Sequence, residues 1–235
     1  MNRPREPWWP LVVMLGLFAI TRWPGLMPPS FSAAYALVFC VGACLPAPRA
    51  LGWTVAVMVV TDLTLCLYYQ FARDVDCFTG PGLLYIGLNY AGYAVLYGLG
   101  RGARPAAVRL LERYRRLAGV MASTLFLLGG GLLGAIVFYV VTNTASWLLN
   151  PFHNPEYTRD LAGWFTALTL GTKGHPPTWE FFRNTLLSGG LFSALFAGSW
   201  AAATRQESAR EKESTEPEEA PGEPSEAAAP EEARV

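Results

Sequence analysis

Long apolar runs separated by short polar breaks set the pattern of this chain, and the runs are apolar on every helical face rather than along one stripe. Six such runs occupy residues 8–23, 31–45, 51–71, 82–100, 120–149 and 179–203. A helix crosses a hydrocarbon layer roughly 30 Å thick with about 20 apolar residues. The pattern therefore predicts an all-α, polytopic transmembrane bundle of about six spans, and it excludes a soluble bundle of amphipathic helices. The first two runs are short and the fifth is long, so tilt or a break is expected there. Between the fifth and sixth runs lies LAGWFTALTLGTKG, flanked by NPFHNP and HPPT. It is too short to cross and too apolar for a free loop, which predicts a short interfacial or partly re-entrant helix, either a structural cap or a lid.

Composition agrees, with 52% apolar and 15% charged residues in 235, against about 25% charged in an average soluble domain. The neutral total hides a split. Residues 204–235 hold ten Glu, four Lys or Arg and no aromatic residue, leaving 14 basic and 8 acidic groups in residues 1–203. This divides the chain into an integral membrane domain, 1–203, and an acidic tail, 204–235, too poor in apolar surface to offset the entropy of ordering and expected to be disordered.

Basic residues set the orientation, because positive charge is retained on the cytoplasmic side. With the N-terminus inside, the inner segments carry thirteen Lys or Arg, and the outer connections carry four: Arg22, Arg73, Arg159 and Lys173. Both termini are thus expected in the cytoplasm. The start MNRPREPWWPLVVMLGLFAITRW has the charge and apolar core of a signal peptide but no small-x-small cleavage site after it, so it reads as a retained first span. The basic loop RGARPAAVRLLERYRR falls between two spans and reads as a topology signal rather than a nucleic-acid site.

Polar side chains inside the runs are the candidates for function, since they are costly in hydrocarbon and face the bundle interior or a wet cavity. Asn143 and Asn184 fall at about the same depth, roughly 8 Å below the outer surface. Asn89 and Tyr85 lie in the outer half of the fourth run, Ser32 and Tyr35 near the outer start of the second, and Asp62 near the middle of the third. Together they predict one outward-facing cavity, with Trp147 at its rim. Helix-to-helix hydrogen bonding by each asparagine is the plainer alternative. Asp62 requires protonation or a partner; Arg183 is one candidate, unless it reaches outward to solvent.

Gly190, Ala194, Gly198 and Ala202 recur every four positions on the last run, and Gly130 with Gly134 forms a GxxxG on the fifth. Such stripes suit close helix packing within the bundle, or docking of a separate membrane subunit. The four cysteines, Cys40, Cys44, Cys66 and Cys77, show no CxxC spacing and are expected to be buried small hydrophobes, with no metal site. His153 and His175 sit beside prolines without a nucleophile in register, and no GxSxG, HExxH, Walker A or GxGxxG motif occurs. The chain is expected not to be an enzyme and to need no cofactor.

The run TRWPGLMPPSFSAAYALVFCVGA, then VVTDL, FYVVTNTASWL and PTWEFFRNTLLSGGLFSALFAG resembles a bacterial family of six-helix integral membrane proteins of unassigned function. Its pattern reads R-L-x-P-x-P-P-N-F-S-P, S-D, V-T-N-F-x-x-W and P-F-F-x-N-T-L-x-G-D. Arg22, Pro29, Phe31, Ser32, Asp62, Thr142, Asn143, Trp147, Phe182, Asn184, Thr185 and Leu186 fall on it. Ser30 replaces asparagine, Ala33 replaces proline, and glycine stands where the last motif often ends in aspartate, which removes an ionisable group. The family in turn is similar to the substrate-binding S components of energy-coupling-factor vitamin transporters. That likeness implies a protein of the bacterial inner membrane that binds a vitamin-like solute or a metal from outside. It also implies a separate membrane coupling subunit and ATPases as partners, since this chain carries no ATPase motif. The rival expectation is a non-catalytic envelope scaffold or accessory subunit in which the polar residues only hold helices together.

Overall fold

Prolines and apolar runs set where the helices begin and stop. A computed structural model describes residues 8–45, 48–113 and 117–215. Among them are seven helices and no strand: α1 (Trp9–Thr21), α2 (Ala34–Cys44), α3 (Pro48–Arg73), α4 (Gly80–Arg113), α5 (Leu117–Leu149), α6 (Leu161–Leu168) and α7 (Thr178–Thr215). Pro10 sits in the first turn of α1, where a missing amide hydrogen costs nothing. Three helices are long and apolar enough to cross a membrane: Pro48–Arg73, Met121–Leu149 and the Thr178–Ala203 part of α7. α1 and α2 are apolar but short, with 13 and 11 residues. Many glycines and tyrosines dilute the apolar character of α4.

Two expected boundaries move. The basic segment after Gly100, expected as a loop, continues α4 to Arg113 through an internal Pro105. α7 also runs past residue 203 to Thr215, because RQESAREKEST is made of residues that favour helices, and Pro217 follows only later in the sequence. The remainder of the tail, 216–235, lies outside the described residues.

α2 is the pillar of the core: all eleven of its residues are buried, packed among α4, α5, α7, α1 and α3. At about 1.5 Å per residue it is only about 16 Å long. A helix enclosed by protein on every side has no need to reach the edges of a bundle, which explains the shortness of the second run. The Tyr35 ring lies 4.9 Å from that of Phe138, and Phe138 sits beside Gly92. Counting from Gly80, the start of α4, places the top of α2 about 18 Å below the end of the bundle where α6 lies, called here the upper end.

The strap of residues 22–33 joins α1 to α2, exposed at Trp23, Gly25, Leu26 and Pro28 to Ser30 and buried at Ser32 and Ala33. Gly25 and Ser30 take positive φ, 78° and 60°, and three prolines, Pro24, Pro28 and Pro29, forbid a continued helix. Irregular backbone at such depth survives when its polar groups are satisfied by protein. Ala33 N donates to Thr21 Oγ1 at 3.3 Å, Ala34 N to Ser32 Oγ at 3.2 Å, and Tyr35 OH to the Ser30 carbonyl at 3.2 Å.

Small residues bring the helices together. A Cβ on Gly42 would lie 2.6 Å from the Tyr97 carbonyl oxygen of α4, and one on Gly100 would strike the Phe39 carbonyl of α2. Gly131 of α5 packs against Ser193 of α7, and Gly189 against Ala135. The α5–α7 seam thus runs through Gly189 and Ser193. Of the expected stripe, Gly190 meets Leu132 while Gly198 faces open space, and Ala202 is exposed.

Candidate functional site

At the upper end, the connection from Asn150 to Thr178 folds over α5 and α7. Asn150 at φ 37° and His153 at φ 52° turn the chain, and the Asn150 side chain closes the turn by accepting from Asn154 N at 2.8 Å and donating to its carbonyl at 3.0 Å. α6 begins at Asp160, whose carboxylate caps the helix by accepting from Gly163 N at 2.7 Å and from the Thr158 hydroxyl at 2.7 Å. Those two bonds hold the Asp160 carboxyl below its ordinary value, with the Gly163 amide the larger cause. A lowered folded-state value means that the cap's contribution is complete at neutral pH and is lost only as pH falls through the acidic range.

Three hydrogen bonds fasten this cap to α5: Tyr139 OH donates to the Leu168 carbonyl, Trp147 Nε1 to the Thr158 carbonyl at 2.7 Å, and Trp164 Nε1 to Thr144 Oγ1 at 2.9 Å. Here α6 is the donor's home in the Trp164 bond, so the fastening runs in both directions. Leu161, Phe165 and Leu170 point their apolar surfaces outward, as expected of an interfacial helix.

Beneath the cap lies a recess of about 500 Å³, within the ordinary size range of small-molecule sites. α4 contributes Tyr85, α5 contributes Asn143 and Ser146, and α7 contributes Thr178 and Phe181. Phe152, Asn154 and Tyr157 come from the first stretch of the connection, and Thr172 and His175 from the second. Gly171 permits the second approach: its φ is 72°, and a Cβ there would collide with Thr178 Oγ1. Lys173 N reaches Glu156 Oε1 at 3.4 Å and joins the two stretches. The wall carries hydroxyl, amide and imidazole groups with aromatic faces, and no Asp, Glu, Lys or Arg. Burial, with Tyr85 and Glu156 nearby, raises the Tyr157 phenol, which stays a neutral donor at physiological pH.

The structure divides the polar residues singled out in the sequence. Tyr85 and Asn143 line the recess; Asn143 Nδ2 donates to the Tyr139 carbonyl at 2.8 Å. Asn89 instead bonds back along its own helix to the Tyr85 carbonyl at 3.1 Å. Asn184 donates to the Pro29 carbonyl at 2.9 Å and so ties α7 to the strap. Ser32 and Tyr35 hold the strap and the top of α2, and Trp147 pins the cap. Arg183 is exposed and lies over the Trp179 ring at 5.6 Å.

Asp62 has a different partner from Arg183: it forms an ion pair with Arg22 of the strap and accepts from Tyr90 OH at 2.8 Å. Asp62 and Tyr90 lie eleven and ten residues from the upper ends of α3 and α4, about 15 Å down. The expectation of one cavity fed by five helices is therefore corrected. Two polar systems exist, a recess under the cap and a deeper network that fixes the strap. Phe152, Asn154, Tyr157, Thr172, His175 and Phe181 were not named as site residues from the sequence. Their signal was the pair of proline-flanked stretches NPFHNP and HPPT around an apolar insert.

Among the described residues no three His, Cys, Asp or Glu side chains cluster in a way that could hold a metal ion. No curated protein and no solved structure matches the chain. A family model matches residues 2–212, nearly all of the sequence, and the chain belongs to that family of unknown function, DUF6580.

Proposed function

We propose that this protein is a six-segment integral membrane protein, both termini cytoplasmic, that captures a small uncharged polar solute from the outer side in the recess between the two stretches of the α5–α7 connection. The observation that carries this reading is the wall of the recess: hydrogen-bonding groups from α4, α5, α7 and the connection converge there without a fixed charge. Such a wall suits a flat, neutral, vitamin-like molecule better than a metal ion. In this reading the protein acts as an S component would, and a separate membrane coupling subunit with its ATPases accepts the loaded protein.

A panel of uncharged heterocyclic vitamins and nucleobases, screened by thermal melting of the purified chain, tests this. One member should raise Tm. Asn143→Leu should weaken that member's binding by about tenfold or more, through a lost hydrogen bond and an unpaired ligand group. Asn184→Leu should lower the resting Tm while leaving the shift intact, because its carboxamide serves the strap. A flat response across the panel would favour the scaffold reading. One observation supports that rival: among the described residues nothing lies within 4 Å of a Cβ on Gly198, and Ala202 is exposed.

A further inference from the structure

The α3–α4 connection brings two thiols together. α3 stops at Arg73, and Asp74 takes a φ of 54° that reverses the chain. The Val75 amide then donates to the Tyr69 carbonyl at 3.1 Å, so the connection runs back along the last turns of α3. Two residues later Cys77 comes back beside Cys66, close enough for the two thiols to influence each other's charge. The Cys77 carbonyl is wedged against the first turn of α4, where a Cβ on Gly82 would collide with it. Asp76 Oδ1 accepts from Phe78 N at 2.8 Å and stiffens the return. Cys66 is 7% exposed although its neighbours Leu67, Tyr68 and Tyr69 are open; Cys77 is half-buried. Cys40 and Cys44 lie in the enclosed α2.

We propose that Cys66 and Cys77 form a reversible disulfide on the outer face, made by exchange with a donor disulfide of the thiol-oxidoreductase or glutathione class. The proposal rests on the orientation given above, which puts the α3–α4 connection in the oxidising compartment. Cys77, the more accessible, attacks one donor sulfur as the thiolate and releases the first donor thiol. Cys66, as the thiolate, then attacks the Cys77 sulfur of the mixed disulfide, forming the Cys66–Cys77 bond and releasing the second donor thiol. Two protons leave the protein thiols and two end on the donor sulfurs; the pair is oxidised by two electrons and the donor reduced by two. The bond fastens the connection to α3 beside the start of α4, the helix that carries Tyr85.

The test uses the full chain in its native membrane. After exposure to oxidised glutathione, denaturation and alkylation with a maleimide, intact mass should show two of the four cysteines alkylated, rising to all four after reduction. A digest should contain the Cys66 peptide linked to the Cys77 peptide. Reduced intact cells treated with a membrane-impermeant maleimide should be labelled at Cys77. If Cys77 is labelled but all four thiols stay free after oxidised glutathione, the disulfide is overturned and the orientation stands. If Cys77 is labelled only after lysis, the orientation fails and takes the disulfide with it.

Discussion

Asp62→Leu is expected to lower stability by about 3 kcal/mol or more, and Arg22→Met in the same chain is expected to restore most of that loss. The pair lies deep between the strap and α3, with side chains only 22% and 19% exposed. Removing the carboxylate strands a guanidinium whose Nε already lacks a hydrogen-bond partner among the described residues, and it takes away the acceptor of Tyr90 OH. A charge left unpaired at that depth costs far more than the pair itself contributes, so neutralising both ends together is the milder change. Melting of the two variants in the same detergent or nanodisc separates the cases. Equal losses in the single and double variants would show that Arg22 and Asp62 do not act as a pair.

Gly42→Val is expected to be at least as damaging. The atoms that a side chain there would meet are all backbone: Tyr97 O at 2.6 Å, Arg101 N at 3.1 Å and the Gly100 carbonyl carbon at 3.2 Å. A flexible side chain could swing aside, but two helix backbones cannot, so α2 must move away from α4. α2 is enclosed on every side, and its displacement would open the core at several contacts, a loss of several kcal/mol. Gly98→Ala, in the same turn of α4 as the crossing but with nothing within 4 Å, is the control. It should be neutral or stabilising by up to about 1 kcal/mol, since alanine loses less backbone freedom in a helix. The check is the yield of monodisperse protein and its Tm.

The sequence predicted the helical class and the short helix between the last two apolar runs; of the six runs, three are helices long and apolar enough to cross a membrane among the described residues. Those features depend on local periodicity and length, which a single chain carries openly. Partner choice was harder to read, because it depends on rotation and depth. Arg183 matches Asp62 on one helix count, yet the strap dips far enough to bring Arg22 alongside, and the positive-φ turns at Gly25 and Ser30 allow it. Asn143 and Asn184 had the same apparent depth but separate fates: one borders the recess, while the other meets a carbonyl 155 positions away in the chain. The recess also draws much of its wall from the connection between α5 and α7, where neither period applies and tight turns decide which side chains converge.

The central claim is that a solute enters the recess and is held between the two stretches of that connection. Hydrogen–deuterium exchange on the full chain in nanodiscs, with and without each member of the vitamin and nucleobase panel, tests it most directly. One uncharged member should slow exchange in residues 151–157 and 171–178 together while leaving residues 22–33 unchanged. Protection confined to other segments, or exchange identical with every member of the panel, would contradict it.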